Sequence, residues 1–237
     1  MSKEVVSLRT LLESKGDVTV KKLLTGFSCI NLEVETFLKE KAIFFEKASL
    51  ASTYLVLDFK KLYIHGFFSI ANRQLLLKEH FIRACSKNKL KQFKKHSKKL
   101  DTGDWYVNSF LLGQIGKNSQ GDNELNGIEL LALACNKLIE AASIIATKYI
   151  WLECKDHEKL LQFYEKYGFT KLDVFESEDE FVTMLMPIVP SNHWQDQKES
   201  SIIKLEDIKG GACYAHSRSF HYSLSLVPSD NGCLLPL

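Results

Sequence analysis

Residues 163–169 read Phe-Tyr-Glu-Lys-Tyr-Gly-Phe, a sequence typical of an amphipathic helix that ends at a glycine. The pattern predicts a helix from Asp156, a suitable N-cap, to Tyr167, with Gly168 in the left-handed conformation that ends many helices. Leu160, Tyr164 and Tyr167 fall on one side of this helix because they are spaced i, i+4 and i+7. This spacing favours packing against a core.

The chain before this helix predicts a β-α-β-α unit over residues 105–169. Trp105 to Ile115 is typical of a strand, and Gly116 to Asn126 is a polar loop. Gly127 to Ala146 is apolar on most faces, which predicts a buried helix, and Thr147 to Cys154 is again a strand. Unpaired amides at the start of the buried helix attract phosphate, and Gly127 would let a ligand approach the backbone.

Other strands and helices are predicted on both sides of this unit. Further strands are expected near Val5, at Ser52 to Leu57, at Leu62 to Ile70, at Leu172 to Phe175 and at Phe181 to Met186. A helix is expected before Phe27, and Leu32 to Phe45 carries an imperfect helical face.

The helix end at residues 163–169 resembles the Tyr-Glu-Lys-x-Gly-Phe signature of the GNAT superfamily of N-acetyltransferases. The resemblance covers roughly residues 50–187. It implies an α/β fold with a mixed, mostly antiparallel sheet, splayed central strands and flanking helices. Residues 1–190 would form this domain, and 191–237 would be a C-terminal extension outside its core.

The resemblance also implies a binding site for acetyl-CoA, the cosubstrate of that family. Its motif A, Q/R-x-x-G-x-G/A, corresponds to the region from Gln114 to Gly127, although Leu125 and Asn126 replace the usual glycine pair. Tyr164 would be the general acid that protonates the departing thiolate. The alternative role of Tyr164, indicated by its spacing from Leu160 and Tyr167, is that of an aromatic residue packed in the core. The implied cofactor-binding residues are Gln114, Ile115 and Gly116 for the acetyl and pantetheine groups, Leu125, Asn126, Gly127, Ile128 and Glu129 for the pyrophosphate, and His157 where the family commonly has an asparagine.

A strongly basic segment runs from Arg83 to Lys99, with eight Lys or Arg residues and no Asp or Glu. Such a run is usually a solvated surface, and Phe81, Leu90 and Phe93 would dock one side of it on the body. The functional alternative is contact with an anion, either nucleic-acid phosphate or the 3′-phosphate of CoA. A similar basic insertion occurs in acetyltransferase toxins that modify aminoacyl-tRNA, so the resemblance makes tRNA a candidate partner.

Three functions are therefore open. The first is acetyl transfer from acetyl-CoA to a primary amine by direct attack in a ternary complex. The second is a toxin-like acetyltransferase of aminoacyl-tRNA, and the third is a non-catalytic module that binds CoA or nucleic acid. No spacing selects a general base, for which the candidates are Glu33, Glu35, Glu40 and His65.

Composition excludes several classes of protein. Of the 237 residues 45% are hydrophobic and 25% charged, with a net charge of +2, which is ordinary for a globular chain and excludes wholesale disorder. No apolar run is long enough for a membrane span and no signal peptide is recognisable, so a cytoplasmic protein is expected. The six cysteines and seven histidines lack zinc spacing, so no metal site is expected.

The end of the chain, residues 191–237, differs from the rest. It contains eight serines and no sustained apolar period. This composition fits a poorly ordered extension, and it also fits a non-native or frame-shifted end. The oligomeric state is open, and a homodimer is one candidate.

Overall fold

The computed structural model describes residues 3–120, 125–172 and 181–188, together with the backbone of residues 215–216. Its helices are α1 to α8, and a π-helical turn, Phe37–Lys41, joins α3 to α4. Their bounds are Leu8–Lys15, Asp17–Thr25, Leu32–Thr36, Ala42–Lys47, Glu79–Ala84, Lys87–His96, Gly127–Ile144 and Glu158–Lys166. None of the helices in the described part of the chain combines the length and apolar character needed to cross a membrane.

The strands, β1 to β11, form two sheets. Their bounds are Glu4–Ser7, Ser52–Asp58, Tyr63–Asn72, Leu75–Leu77, Ser97–Lys99, Trp105–Val107, Ser109–Lys117, Tyr149–Lys155, Thr170–Lys171, Phe181–Pro187 and Ala215–His216. The main sheet has the order β1-β2-β3-β7-β8-β10-β9, and β11 pairs with β7 outside this order. Among the described strands of this sheet only the β7–β8 pair is parallel, so the predicted mixed, mostly antiparallel sheet flanked by helices is confirmed.

Two apolar clusters cover the two faces of the main sheet. One face packs against α1 to α4 and against α5 and α6, through side chains such as Val34, Phe37 and Phe93. The other face packs against α7 and α8, through Leu130, Leu138 and Tyr164 among others. Alternate residues of the central strands supply the two clusters, as the period of a strand requires.

A second, three-stranded sheet, β4-β6-β5, lies within residues 75–107. The prediction of one strand from Trp105 to Ile115 was therefore wrong, because β6 belongs to this small sheet and β7 to the main one. The Ser109 hydroxyl marks the change of sheet, since it donates to the carbonyls of Arg73 at 2.6 Å and Val107 at 3.2 Å. These long-range pairings leave no local mark in the sequence.

The N-terminal part also differs from the prediction in one respect. The single helix expected before Phe27 is two helices, because Gly16 adopts φ +74° between α1 and α2. The imperfect helical face from Leu32 to Phe45 has a structural reason as well: in the π-helical turn the Ala42 N–H donates to the Phe37 carbonyl, so these two buried residues lie one turn apart at a spacing of five residues. Of the strand expected at Leu172 to Phe175, residues 173–175 lie outside the described residues, and β9 precedes it.

Candidate functional site

The central feature of the site is a β-bulge in β7. Ser69 of β3 pairs with Gln114 and Ile70 pairs with Leu112, so Gly113 is an extra residue without a partner in β3. The parallel pairing of β7 with β8 ends at Leu111, immediately before the bulge. The two strands are therefore paired at their beginnings and separate from Leu112 onward. This confirms the splayed central strands.

Gly113 was not singled out in the sequence, although a signal was present. An isolated glycine inside a strand pattern often marks a bulge or a close approach of another backbone. The sequence cannot show which strands lie beside it, and the bulge opens a slot only because β8 is the neighbour on that edge.

The predicted residues Gln114, Ile115 and Gly116 follow the bulge, and their side chains alternate between the two faces of the sheet. Ile115 belongs to the cluster under α7 and α8. Gly116 faces α3, because a Cβ there would lie 2.6 Å from Val34 Cγ1. What the three residues share is the backbone edge of β7, which is how a strand would contact an extended ligand.

The side chain of Gln114 lies on the α3 face, two residues before Gly116 in the same strand. It is 4% exposed, and its Oε1 atom has no hydrogen-bond partner among the described residues. A buried amide oxygen normally has a donor. The position beside the slot makes this oxygen a candidate for contact with a bound ligand.

The sequence predicts a phosphate site at the start of α7. Asn126 is the N-cap, and its side chain accepts from the Glu129 N–H at 2.8 Å. The N–H groups of Gly127 and Ile128 in the first turn have no intrahelical acceptor, since every helix leaves its first amides free. Of the residues predicted to bind the pyrophosphate, Gly127 and Ile128 thus have backbone amides available for a ligand. The Glu129 amide donates to the Asn126 side chain instead.

The side chains of Leu125 and Glu129, two of the residues predicted to bind the pyrophosphate, make contacts within the protein. Leu125 is buried, and it packs on Gly66 of β3, where a Cβ would lie 2.8 Å from Leu125 Cδ2. This contact brings the helix start close to the sheet. The carboxylate of Glu129 lies 3.7 Å from Lys3 Nζ, which offsets a negative charge beside the proposed phosphate site.

Tyr164, the predicted general acid, is fully buried on α8. It belongs to the same apolar cluster as Leu112 and Ile115 of β7 and Leu152 of β8. Its ring contacts Phe163 and Phe169 edge to face, with centroids 5.2 and 5.7 Å away. The structure thus places Tyr164 among the residues of the splayed strands, and it also gives the ring a packing role.

His157 lies at the beginning of α8 and is exposed. It is the N-cap residue of this helix, although its side chain makes no capping bond. The prediction that Asp156 is the N-cap was wrong, because its carboxylate instead pairs with Lys171 Nζ at 3.0 Å.

None of the four candidate general bases is selected by the structure. Glu35 accepts hydrogen bonds from Lys39 Nζ and from the Cys29 N–H, and these bonds lower its pKa. A carboxylate held ionised in this way is a poor proton acceptor. Glu33 and Glu40 are exposed on the helical segment that contains α3, and His65 is buried in β3.

The cysteines of the site region, Cys135 and Cys154, are buried and free. Burial raises the pKa of both Cys135 on α7 and Cys154 on β8 to about 12. Neither is a nucleophile near neutral pH, because only a thiolate attacks. The described residues contain no group of three side chains arranged to hold a metal ion.

The basic segment forms α6 and β5 and lies on the sheet face opposite α7. Phe93 is buried against Phe81 and against Tyr149 of β8, with both pairs of centroids 5.9 Å apart. The predicted docking of the segment by its aromatic residues is confirmed. Its cations remain exposed along α6 and β5: Lys87, Lys91, Lys94, Lys95, Lys98 and Lys99.

The surroundings of Lys94 and His96 bear on the charge of α6. Lys94 Nζ lies 5.6 Å from the centre of the Trp105 ring, a cation–π distance. Burial, and then the positive charges of Lys148 and Lys95, lower the pKa of His96. The positive charge of this surface therefore comes from lysines and changes little around neutral pH.

Comparison with known proteins identifies the fold. No protein-family model matches the chain, and no curated protein matches it in sequence. Several solved structures do match. A bacterial toxin is 15% identical over 84% of this chain and 97% of its own, with a TM-score of 0.55.

Two further solved structures are complexes with ligands. AtaT complexed with acetyl-methionyl-tRNAfMet is 17% identical over 75% of this chain and 91% of its own, with a TM-score of 0.53. AtaTR bound with acetyl-CoA is 15% identical over 79% of this chain and 95% of its own, with a TM-score of 0.51. At these identities the likeness concerns the fold. Together with the strand order and the bulged, splayed β7, it shows that this chain has the GNAT fold.

Proposed function

We propose that this protein transfers an acetyl group from acetyl-CoA to a primary amine. The observation that carries the proposal is the separation of β7 from β8 beyond Leu111, which opens a slot beside the backbone of Gln114 to Gly116. The free first-turn amides of α7 lie at the end of the loop that follows this strand. A slot for an extended arm and amides for a pyrophosphate are the two features that binding of acetyl-CoA requires.

In this reaction the amine attacks the thioester carbon directly in a ternary complex. A backbone N–H near Ile115 or Gly116 stabilises the negative charge that develops on the carbonyl oxygen. The carbon–sulfur bond then breaks, and Tyr164 gives its phenolic proton to the leaving thiolate. The acceptor arrives as a neutral amine or loses a proton to solvent, because none of the candidate bases among the described residues is singled out by its position.

The acceptor that we favour within this function is the α-amino group of an aminoacyl-tRNA. The specific observation is the row of exposed lysines on α6 and β5, which lies on the face of the sheet opposite the proposed phosphate site. A polyanionic acceptor would thus approach from the side that the cofactor phosphates do not occupy. The structural likeness to AtaT complexed with acetyl-methionyl-tRNAfMet agrees with this assignment.

The test combines binding and product analysis. Acetyl-CoA is titrated into the wild type, Gly127→Asp and Gly127→Ala. The aspartate puts a carboxylate at the phosphate site and should abolish binding. The alanine changes the bulk alone and should weaken binding much less. Since an acidic residue in the first turn stabilises a helix, loss of binding in Gly127→Asp is not expected to come from unfolding.

The products are then identified by mass spectrometry after incubation with a panel of amines and aminoacyl-tRNAs. An acetylated aminoacyl-tRNA supports the acceptor that we favour, and an acetylated small amine supports the broader function alone. Binding of acetyl-CoA without any acetylated product would favour the non-catalytic module. If Gly127→Asp binds acetyl-CoA as tightly as the wild type, the phosphate site is placed wrongly.

A further inference from the structure

The short strand β11, Ala215–His216, pairs antiparallel with the strand that contains the bulge. Ala215 lies opposite Ile115, and His216 lies opposite Gln114. These are two of the three residues along the slot. The pairing therefore falls on the part of β7 that the proposed function assigns to the acetyl and pantetheine groups.

The edge that β11 occupies follows from the register of the sheet. A strand has two edges, and β3 takes one of them at the same positions, since Phe68 pairs with Ile115 and Ser69 with Gln114. β11 must therefore use the other edge, which faces β8. The pairing of β7 with β8 ends at Leu111, and the pairing with β11 starts three residues later, at Gln114. β11 lies against both β7 and β8.

We propose that this C-terminal segment is an autoinhibitory strand that competes with acetyl-CoA for the edge of β7. The proposal rests on the proposed function, which places the cofactor in the slot. The pantetheine arm is an extended chain with amide groups, and a free strand edge binds such a chain as it binds a peptide. One N–H group on that edge cannot donate to the peptide and to the arm together, and two extended chains cannot lie beside the same edge at once.

The consequence is a lowered apparent affinity for acetyl-CoA. When a ligand binds only the open state, its apparent dissociation constant rises by the inverse of the open fraction. Because the segment belongs to the same chain, its effective concentration at the slot does not fall on dilution. If the segment is paired in about nine molecules of ten, removing it lowers the apparent dissociation constant about tenfold.

The test uses the full chain with the double substitution Ala215→Pro and His216→Pro. Proline has no N–H group and disfavours pairing in a ladder, so the variant removes both donors of β11 whichever one faces β7. The matched control is Ser200→Pro with Ser201→Pro, which adds the same number of prolines to the same extension. Calorimetric titration gives the dissociation constant of acetyl-CoA for the three proteins.

A second measurement detects the pairing of β11 with β7 in the absence of acetyl-CoA. Successive residues of an antiparallel strand point their N–H groups to opposite edges, so one of the Gln114 and Ile115 amides faces β11. Hydrogen exchange by NMR should show that amide exchanging at least tenfold faster in the Ala215→Pro, His216→Pro variant. The wild type and the control should exchange alike.

The expected result is faster exchange together with about tenfold tighter binding in that variant alone. Equal affinity in all three proteins would overturn the competition and leave the proposed function standing. Unchanged exchange would overturn the pairing itself. If none of the proteins binds acetyl-CoA, the proposed function fails, and the competition fails with it.

Discussion

The backbone N–H of Phe169 donates to the carbonyl of Tyr164 across 3.1 Å, and the rings of these two residues meet edge to face at 5.7 Å. Gly168 N–H donates to the Glu165 carbonyl at 2.9 Å between them. This pair of bonds with its apolar contact is a Schellman motif, which closes helix α8. The segment 163–169, which resembles the GNAT signature, therefore ends helix α8. Tyr164 stabilises this helix end whether or not it takes part in catalysis.

The conformation of Gly168 gives the first prediction. Its φ is +94°, and a Cβ there would make only an ordinary van der Waals contact, with Met186 Sδ 3.6 Å away. Gly168→Ala should therefore lower the free energy of unfolding by about 1–2 kcal/mol through backbone strain alone. Urea denaturation measures the loss. Gly168→Asn should cost less, because asparagine tolerates positive φ better, and an equal or absent loss in both variants would contradict this reason.

A second prediction concerns the contact of α3 with the bulged strand. A Cβ at Gly116 would lie 2.6 Å from Val34 Cγ1 and 3.1 Å from Phe67 Cε1. Gly116→Ala should thus destabilise the protein by about 1–3 kcal/mol through overpacking. Gly26→Ala is the matched control, since its φ is negative and its nearest neighbour is 3.4 Å away.

A double-mutant cycle with Val34→Ala tests whether the loss of stability in Gly116→Ala comes from the clash with Val34 or from the changed backbone freedom at position 116. Shortening Val34 makes room for the new methyl group, so the double variant should be more stable than the sum of the two single losses predicts. Strict additivity would mean that Val34 does not cause the effect.

The third prediction separates the two roles of Tyr164. Tyr164→Phe keeps the ring and its edge-to-face contacts but removes the hydroxyl. If Tyr164 is the general acid, turnover with the true acceptor should fall by about 10²–10⁴-fold. The affinity for acetyl-CoA should hardly change, because the hydroxyl acts in the transition state. Steady-state kinetics and titration measure both, and full turnover would leave Tyr164 with packing alone.

A fourth prediction tests the lysines of α6. Lys87, Lys91 and Lys95 are exposed and are spaced i, i+4 and i+8 on the helix. Changing all three to glutamine should weaken tRNA binding and reduce the slope of log K against log salt by about 0.7–0.9 for each lost phosphate contact. Lys155, Lys159 and Lys166, exposed on β8 and α8, provide the matched triple substitution. If both triple substitutions weaken tRNA binding equally, the lysines of α6 act only through the net charge of the protein.

The fifth prediction follows from the buried thiol of Cys135. Burial raises its pKa to about 12, whereas an unfolded thiol titrates near 8.5. Between these values the folded state binds more protons than the unfolded state, so stability falls as the pH rises, by up to about 1.4 kcal/mol per pH unit. Cys135→Ala should show a shallower decline between pH 9 and 11 in urea denaturation. An unchanged slope would mean that Cys135 does not titrate on unfolding in that range.

Much of the fold could be predicted because it depends on neighbours in sequence. The end of α8 at Gly168 and the bounds of α7 depend on contacts within a few residues, and both agree with the prediction. The prediction that α7 is buried on most sides was wrong, because its buried residues lie on the side facing the sheet and Ile144 is 82% exposed. The strands β2, β3, β8 and β10 were also found within a few residues of their bounds. Asp156 was assigned as the cap for the same local reasons, but a partner fifteen residues away, Lys171, takes its carboxylate.

Tertiary structure decided the features that make the site. The sequence showed a glycine at position 113, but the bulge arises from the register of β3, and the slot arises from where β8 parts from β7. The second sheet and the pairing of Ala215–His216 with β7 join segments far apart in the chain. Such contacts depend on strand register and on which edges remain open, and neither is written in the local pattern of residues. The sequence by itself determined the bounds of α7, the end of α8 and the strands β2, β3, β8 and β10, whereas only the folded sheet placed the open edge, its amides and the segment that covers them.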